Sequence, residues 1–270
     1  MAALAFPAID PIALRLGPFA VRWYGLAYVA GFLFAWWILK VLDERWGVGL
    51  GSDRRTVVIL AALVGLVAGG RLGYVIVYGV GAYFADPLKI FAIWDGGMSF
   101  HGGLVGIMLA GVWVSRRYKV PFLTLCDIGA VGAPMGLLLG RLANFINGEL
   151  WGRVTTAPWG MVFPGGGPLP RHPSQLYEAA LEGVVLLAVM LWLSRRQRPA
   201  GFLVGWMLTL YAVFRIFVEF FRQPDVQIGF LPGGVTMGQL LSTPMLIAGV
   251  WLIARAVRAR RATSSGAQES

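Results

Sequence analysis

The sequence predicts an all-α polytopic membrane protein with seven transmembrane helices and a small external cap between the fourth and fifth helices. Only 13% of its 270 residues are charged, about half the share that is usual in soluble proteins. The mean hydropathy is +0.70, and apolar residues come in runs of the roughly 20 residues that cross a bilayer as a helix. No long linker interrupts these runs, so we expect a single integral membrane domain over residues 1–270.

The predicted spans follow the apolar runs in order. They are residues 21–40, 56–78, 101–115, 122–146, 174–194, 201–221 and 236–255. The predicted cap covers residues 147–173, which are rich in glycine and proline and too polar for a span. Residues 80–100 are interpreted as an interfacial amphipathic stretch that leads into the third span.

Basic residues set the predicted orientation. Fourteen Lys and Arg residues lie on one side, in the segments 40–55, 116–119, 195–198 and 255–261, against six on the other side. Because loops rich in Lys and Arg stay in the cytoplasm, the N-terminus is predicted outside and the C-terminus inside. The net charge of +10 does not indicate nucleic acid binding, since the basic residues lie between apolar spans rather than on a polar domain.

Polar residues inside the spans gather near the predicted outer face. Arg71, Arg141 and Arg215 fall in the outer halves of the second, fourth and sixth spans. The odd-numbered spans begin at that face with further polar residues, namely Arg22, Tyr24, His101, Gln175, Tyr177 and Glu178. Apart from Asp127, the inner halves are nearly bare. A charge within the bilayer costs at least about 2.5–3.5 kcal/mol, so such residues usually mark function. Their gathering in one leaflet predicts a polar cavity rather than a path across the membrane.

Three alternatives stay open: one concerns a single charge, and two concern the function of the protein. A single arginine near a helix end can extend to the lipid headgroups without any function, and for Arg71 this role is as well supported as a functional one. A transporter for an anionic small molecule also gathers charges within its spans, but it needs polar residues along a continuous path. The third possibility is a different transferase that uses an anionic phospholipid.

Helical spacing groups the polar residues of the sixth span. Tyr211, Arg215, Glu219 and Arg222 recur at i, i+4, i+8 and i+11, so they are predicted to share one helical face. Glu219 follows Arg215 by one turn and is interpreted as its structural counter-ion.

A second polar group ends the fourth span, in the stretch GRLANFINGELWGR at 140–153. Arg141 and Asn144 share a helical face, and Asn147 and Glu149 follow just beyond the helix end. A guanidinium binds phosphate through a planar two-point fork and stays charged in a low dielectric. The arginines of this leaflet therefore suit an anionic headgroup.

The sequence offers a base but no activated nucleophile. His101 is the one plausible general base within the spans at neutral pH. Cys126 lies toward the inner half of its span and is interpreted as a packing residue. No spacing of His, Cys and carboxylate residues suits a metal, and no cofactor is expected. The residues favour a transfer in which the attacking group belongs to a substrate.

Glycines recur every four residues in three spans, a spacing that lets helix backbones approach closely. They are Gly65, Gly69, Gly73, Gly102, Gly106, Gly132, Gly136 and Gly140. Tight helix packing is the expected role of most of them. Gly102 and Gly103 follow His101 directly, and we expect them to leave room for a ligand beside the imidazole.

The motifs and their order resemble those of the bacterial prolipoprotein diacylglyceryl transferases. GRLANFINGELWG matches the family signature G-R-x-[GA]-N-x-x-N-x-E-x-x-G. Four further segments are similar to other parts of the family: WYGL at 23–26, WDGGMSFHGGL at 94–104, RHPSQLYE at 171–178 and FRIFVEFFRQPD at 214–225. The similarity runs in order along nearly the whole chain, so chance does not account for it well.

The resemblance implies a reaction in the bacterial cell inner membrane, the first step of lipoprotein maturation. A diacylglyceryl group passes from phosphatidylglycerol to the lipobox cysteine in the signal peptide of a prolipoprotein. A thioether forms and glycerol phosphate leaves. The resemblance thus supplies the nucleophile that this chain lacks, and it implies a membrane lipid and a prolipoprotein as partners.

The resemblance also implies roles for single residues. Arg141 and Arg215 are expected to bind and polarise the phosphate, and His101 is expected to be essential. We assign His101 to deprotonation of the thiol, with a purely hydrogen-bonding role as the alternative. Tyr24, placed with the catalytic residues, and Asn144 would hold headgroup or glyceryl oxygens. The other residues predicted to bind phosphatidylglycerol are Glu149, Gly152, Tyr211, Arg222, Gly102 and Gly103.

Overall fold

The computed structural model describes residues 4–17, 19–78, 83, 86–92, 96–224 and 229–266. The chain divides into two compact units, one made of residues 1–38 and 127–270 and the other of residues 39–126. The predicted interfacial stretch at 80–100 falls partly outside the described residues, as do Trp94, Asp95 and Asp225 of the family-like motifs.

Helices account for most of the described chain, and each predicted span falls on one of them. They are α1 (Trp23–Trp46), α2 (Gly51–Tyr78), α3 (Phe100–Tyr118), α4 (Phe122–Ile146), α5 (Ser174–Leu193), α6 (Phe202–Val218) and α7 (Met237–Gly266). A short 3₁₀ helix at Pro87–Phe91 precedes α3.

In the described part of the chain, five helices are long and apolar enough to cross a membrane: α1, α2, α4, α5 and α7. α6 is a shorter apolar helix. α3 carries His101 in its first turn and Arg116 and Arg117 in its last turn, and it is not among these five helices. The prediction of a helical membrane protein is confirmed, whereas the number of seven crossings stays a prediction.

Short strands that the sequence pattern did not predict precede α1. β2 (Ile12–Leu16) pairs antiparallel with β3 (Phe19–Arg22). Gly17 lies between them at φ +59°, a left-handed conformation that glycine adopts without steric cost. β1 (Leu4–Ala5) pairs in parallel with β4 (Met161–Val162). The first helix therefore begins two residues later than predicted, because the preceding residues are extended.

Glycines bring α2 and α3 into backbone contact within the second unit. A Cβ on Gly106 would collide with the carbonyl of Gly65, and a Cβ on Gly69 would collide with the carbonyl of Gly102. A Cβ on Gly73 would lie 2.7 Å from Cα of Gly102. The expectation of tight helix packing is confirmed for this pair of helices.

α5 departs from regular α-helical winding in its middle. The residues Ala179–Val185 form a π-helix between the α-helical parts Ser174–Glu178 and Leu186–Leu193. Gly183 lies in this π segment, where a Cβ would stand 2.9 Å from Cα of Leu138 on α4. The glycine thus lets α4 and α5 approach closely, one turn before Arg141 on α4.

Asp127 on α4 caps the N-terminus of α6, which lies more than 70 residues later in the sequence. Its carboxylate accepts hydrogen bonds from the backbone N–H groups of Gly201 and Val204, both at 2.8 Å, at the start of α6. A buried carboxylate at a helix N-terminus satisfies N–H groups that have no partner within the helix. This polar residue in the otherwise apolar part of α4 therefore has a structural role.

The predicted cap region 147–173 is irregular but well hydrogen-bonded. Met161 and Arg171 exchange backbone hydrogen bonds of 2.9 and 2.8 Å, and Gly152 donates to the carbonyl of His172 at 2.8 Å. The Arg171 guanidinium donates to the carbonyl of Gly166 and lies 4.1 Å from the centre of the Trp151 ring. The segment thus folds against itself without forming a helix of its own.

Candidate functional site

Three arginines and three glutamates form a buried charge cluster in the first unit. Its members are Arg141, Glu178, Glu182, Arg215, Glu219 and Arg222. Glu178 contacts all three arginines. Its Oε2 forms an ion pair with Nε of Arg141 and lies 3.3 Å from Nη1 of Arg215, while its Oε1 accepts a hydrogen bond of 3.2 Å from Arg222. The six formal charges cancel within the cluster.

Two further carboxylates complete the surroundings of Arg215. Oε1 of Glu219 lies 2.5 Å from Nη2 of Arg215. Glu182 is farther away, with Oε1 3.9 Å from Nη1 of Arg215 and Oε2 3.8 Å from Nη2 of Arg141. Arg215 therefore faces three carboxylates, two on α5 and one on its own segment.

Three segments bring the charge cluster together. Arg141 lies near the end of α4, and Glu178 and Glu182 lie one turn apart on α5, on either side of the start of the π segment. α6 supplies Arg215 in its last turn. Arg141, Glu178, Glu182 and Arg215 are thus held by helices that the apolar sequence pattern predicts, but only the packing of these helices makes the charges meet.

The sequence prediction for Arg222 needs a correction. α6 ends at Val218, and the following residues form turns, so Arg222 does not continue the helical face of Tyr211 and Arg215. It instead forms an isolated antiparallel bridge with Gly152 and reaches Glu178 from there. Its place in the cluster comes from the turn after α6 rather than from helical spacing.

The carboxylates are buried more deeply than the arginines. The side chains of Glu178 and Glu182 are 1% and 0% exposed, against 17% and 13% for Arg141 and Arg215. Glu178 and Glu182 are thus fully enclosed, whereas the two arginine side chains keep part of their surface accessible. Each guanidinium carries five N–H donors in a planar fork, and the carboxylates around it balance its charge.

Asparagines and Glu149 form a polar group at the end of α4. Oε1 of Glu149 accepts hydrogen bonds from Nδ2 of Asn144 at 2.9 Å and of Asn147 at 3.0 Å. Gln175 at the start of α5 donates to the backbone carbonyl of Glu149 at 2.6 Å. Asn144 is buried, whereas Asn147 and Glu149 are more exposed. Residues of the signature stretch thus bind one another, starting one turn beyond Arg141.

Gly152 is placed where a side chain would not fit. A Cβ there would stand 2.5 Å from the carbonyl oxygen of Phe221 and 2.7 Å from that of His172. Arg153, the next residue, donates to the carbonyls of Arg222 at 2.9 Å and Glu219 at 3.0 Å. Gly152 and Arg153 therefore connect the 147–173 segment to the turn after α6. That turn carries Glu219 and Arg222.

His172 lies in a small aromatic group at the start of α5. Its Nδ1 is 3.0 Å from the hydroxyl of Tyr177, and its ring packs edge-on against Tyr177 and Phe221. Trp159 donates from its indole nitrogen to the same hydroxyl at 2.6 Å. Burial lowers the pKa of the His172 imidazole, which favours the neutral ring. These contacts suit a structural role for His172.

His101 belongs to the second unit. It is exposed in the first turn of α3, with its ring edge-on to Phe100. Ser99 caps this helix by accepting a hydrogen bond from the backbone of Gly102 at 3.2 Å. Gly102 and Gly103 were expected to leave room for a ligand beside the imidazole, and this expectation is wrong. Gly102 faces the backbone of α2, and Gly103 faces Leu66. Helix packing accounts for both glycines.

Arg71 does not extend to the lipid headgroups. Its guanidinium is buried and donates to four backbone carbonyls, those of Lys89, Ile90, Gly96 and Gly97. It therefore holds the segment that precedes α3 and His101. These contacts give Arg71 a structural role in place of the extension to the headgroups that its sequence position allowed.

Three further residues of the sequence prediction are not members of the charge cluster. Tyr211 lies on α6 one turn before Arg215, close enough for electrostatic interaction with Glu182. Tyr24 is exposed at the start of α1, with its ring edge-on to Tyr28. Cys126 is half-buried in α4. Among the described residues, no group of three His, Cys, Asp or Glu residues could hold a metal ion.

Sequence reasoning missed Glu182. The available signal was a second carboxylate one turn after Glu178 in an apolar span, where the cost of burying a charge makes any carboxylate informative. Glu178 was recognisable as a polar residue at the predicted outer face, but its position between three arginines depends on the packing of α4, α5 and α6. No spacing along the chain predicts that contact.

Comparison with known proteins finds one matching family model and several similar proteins. The sequence model of the family described as prolipoprotein diacylglyceryl transferase matches residues 11–255. Three similar proteins, each called phosphatidylglycerol–prolipoprotein diacylglyceryl transferase, come from Geobacter sulfurreducens, Photobacterium profundum and Sinorhizobium medicae. They are 53%, 49% and 51% identical to this chain, over 92%, 97% and 95% of its length. The matches cover 95%, 98% and 95% of those proteins.

Proposed function

The chain belongs to the prolipoprotein diacylglyceryl transferase family, and from this premise we propose that it transfers the diacylglyceryl group of phosphatidylglycerol to a prolipoprotein. The acceptor is the thiol of the lipobox cysteine in the signal peptide. The sulfur forms a bond to the glyceryl carbon, the bond between that carbon and the phosphate oxygen breaks, and glycerol phosphate leaves. The thiol proton passes to a base. Identity of about half the residues over nearly the full length of several named transferases supports this function.

The charge cluster supports the proposed handling of the phosphate. Negative charge accumulates on the phosphate oxygens as the glyceryl carbon–oxygen bond breaks, and fixed guanidinium groups stabilise that charge. Arg141 and Arg215 are each paired with the buried Glu178, and their side chains keep 17% and 13% of their surface accessible. We assign both arginines to the phosphate of phosphatidylglycerol. Asn144, Glu149, Gly152, Tyr211 and Arg222 belong to the same proposed binding site.

His101 is the proposed base for the thiol. A free thiol with a pKa near 8.5 is only a few per cent ionised at pH 7, so removal of its proton assists the attack. His101 is exposed at the start of α3 and its side chain is therefore accessible to a substrate. Tyr24, also exposed, is proposed to hold a headgroup or glyceryl oxygen. The chain is proposed to need no cofactor and no metal, because the substrate supplies the nucleophile.

The reaction is proposed to take place at the outer face of the bacterial inner membrane. The distribution of Lys and Arg between the loops supports an N-terminus outside and a cytoplasmic C-terminus. With seven spans, this orientation places Arg141, Arg215 and the 147–173 segment at the outer face. The segment then forms an external cap on one integral membrane domain. Nucleic acid has no part in the proposed function.

A reconstituted assay tests the function directly. Purified protein is incubated with phosphatidylglycerol labelled in its acyl chains and with a lipobox peptide, or with the same peptide carrying Ser in place of Cys. We expect labelled peptide and equimolar glycerol phosphate only with the cysteine peptide. Release of glycerol phosphate without labelled peptide would instead indicate a different phospholipid-using enzyme. Movement of an anionic solute into sealed vesicles, without any transfer, would indicate a transporter.

A further inference from the structure

Glu182 lies between the guanidinium groups of two arginines at nearly equal distances. Its side chain is fully buried, and one oxygen lies 3.8 Å from Nη2 of Arg141 while the other lies 3.9 Å from Nη1 of Arg215. Neither oxygen has a hydrogen-bond partner among the described residues. A single carboxylate thus faces two guanidinium groups at once, at distances too long for hydrogen bonds but short enough for strong attraction in a buried site.

The other two carboxylates of the charge cluster have shorter contacts. Glu178 touches Arg141, Arg215 and Arg222 at hydrogen-bonding range, and Glu219 lies 2.5 Å from Arg215. These contacts are sufficient to give each arginine a close acidic partner. Glu182 therefore adds an electrostatic link between Arg141 and Arg215 rather than the closest partner of either.

Local structure fixes Glu182 in that place. It lies in the π-helix Ala179–Val185, next to Gly183, whose missing side chain lets α5 approach Leu138 on α4. Extra turns of π type inside a helix are rare and frequently lie at functional sites. The wider winding and the close approach of the two helices together bring the Glu182 carboxylate close to Arg141.

We propose that Glu182 is a positioning residue that holds the guanidinium groups of Arg141 and Arg215 side by side for the phosphate of the lipid donor. Two like charges repel each other, and a bridging carboxylate offsets that repulsion and fixes their relative orientation. This inference rests on the proposed function, since it gives Glu182 a role in the same phosphate site. It does not require Glu182 to touch the substrate.

The proposal predicts opposite effects on binding and on turnover. In Glu182→Gln the side chain keeps its shape and loses its charge, so the charge cluster gains one net positive charge. The affinity for anions should rise with that charge, whereas the orientation of the two guanidinium groups should loosen. A misplacement of catalytic groups by about 1 Å can cost about 100-fold in rate. A residue that only supports folding would change neither constant per folded molecule.

The experiment measures kcat, the KM for phosphatidylglycerol and the inhibition constant of glycerol phosphate for the wild type, Glu182→Gln and Glu182→Asp. All values are normalised to folded protein from thermal melts in detergent. For Glu182→Gln we expect kcat to fall at least about 10-fold, by the same reasoning on misplaced groups. We expect the inhibition constant of glycerol phosphate to fall and KM not to rise. Glu182→Asp restores the charge and should recover part of kcat even if Glu182→Gln folds poorly.

Asp127→Asn is the matched control, because Asp127 is also a buried carboxylate on a membrane helix but caps α6 away from the charge cluster. It should lower the melting temperature and leave the three kinetic constants unchanged. Wild-type kcat in Glu182→Gln, weaker inhibition by glycerol phosphate, or an Asp variant no better than Gln would overturn the proposal. A wild-type protein without transfer would instead refute the proposed function.

Discussion

Arg215 and Glu219 form an ion pair of 2.5 Å between the last turn of α6 and the turn that follows it. The Glu219 side chain of this pair also packs against α7. Gly238, in the first turn of α7, lies so close that a Cβ there would collide with the Glu219 carboxylate. The absence of a side chain at Gly238 therefore allows Glu219 to stay beside Arg215, and three segments of the first unit depend on one another at this point.

Glu219→Gln should impair folding more than turnover per folded molecule. Removal of one partner from a buried ion pair typically costs about 3–5 kcal/mol, because the other charge stays buried. We expect a lower melting temperature and a lower yield in detergent, while the folded fraction keeps Glu178 as a partner of Arg215. Thermal melts combined with transfer assays on the folded fraction measure both effects. A loss of turnover without any loss of stability would instead give Glu219 a direct role in the reaction.

Arg141→Lys and Arg215→Lys should each lose at least about 10-fold in activity, equivalent to about 1.4 kcal/mol of transition-state stabilisation. Lys keeps the charge but lacks the planar fork that binds two phosphate oxygens. Both variants are purified, checked for folding by thermal melts and assayed with a lipobox peptide. Lys40 lies in α1 outside the charge cluster. The variant Lys40→Arg is the control for exchanging the two kinds of basic side chain elsewhere in the chain. Wild-type rates in both Lys variants would rule out the two-point binding of phosphate.

Cys126→Ala should leave transfer within a few-fold of the wild-type rate. Cys126 is half-buried in α4, and in the proposed reaction the attacking sulfur belongs to the prolipoprotein. The variant is assayed with labelled phosphatidylglycerol after its membrane insertion and melting temperature have been checked. Complete loss of activity in a folded variant would point to a covalent intermediate on the enzyme.

A cysteine placed at Gly166, in a Cys126→Ala background, should react with a membrane-impermeant thiol reagent added to spheroplasts, whose inner membrane is accessible. A cysteine placed at Lys119, at the end of α3, should react only after the membrane has been permeabilised. The expected sidedness follows from the fourteen basic residues on one predicted side. The reverse labelling pattern would move the charge cluster to the cytoplasmic face.

Gly106→Ala should destabilise the second unit. Its Cβ would collide with the backbone carbonyl of Gly65, and over-packing of this kind typically costs about 1–3 kcal/mol. Gly136→Ala is the matched control, because it lies in another helix and a Cβ there would meet no atom within 4 Å. Melting temperatures in detergent should fall for Gly106→Ala and stay near the wild-type value for Gly136→Ala. Equal melting temperatures would show that α2 and α3 can separate at little cost.

The sequence by itself was sufficient to predict the helices and to mark the charged residues that lie among apolar ones. Each apolar run that was predicted to span the membrane falls on a helix, because the length and hydrophobicity of a span are local properties. The charged residues Arg141 and Arg215 were recognisable for a similar reason, since burying a charge among apolar residues is costly wherever it occurs. The spacing of Gly65, Gly69 and Gly106 likewise predicted close helix packing, but not which helices would pack together.

Only the tertiary structure decided which charges meet. Glu178 and Glu182 contact arginines on α4 and α6, and a contact between helices depends on how those helices pack rather than on spacing along either one. Arg71 binds backbone carbonyls of the segment before α3, a contact that no pattern of side chains in the sequence marks. The π-helix of α5 and the end of α6 at Val218 are likewise seen only in the fold. A charge can therefore be recognised from its own neighbours in the sequence, whereas its partner is found only in the fold.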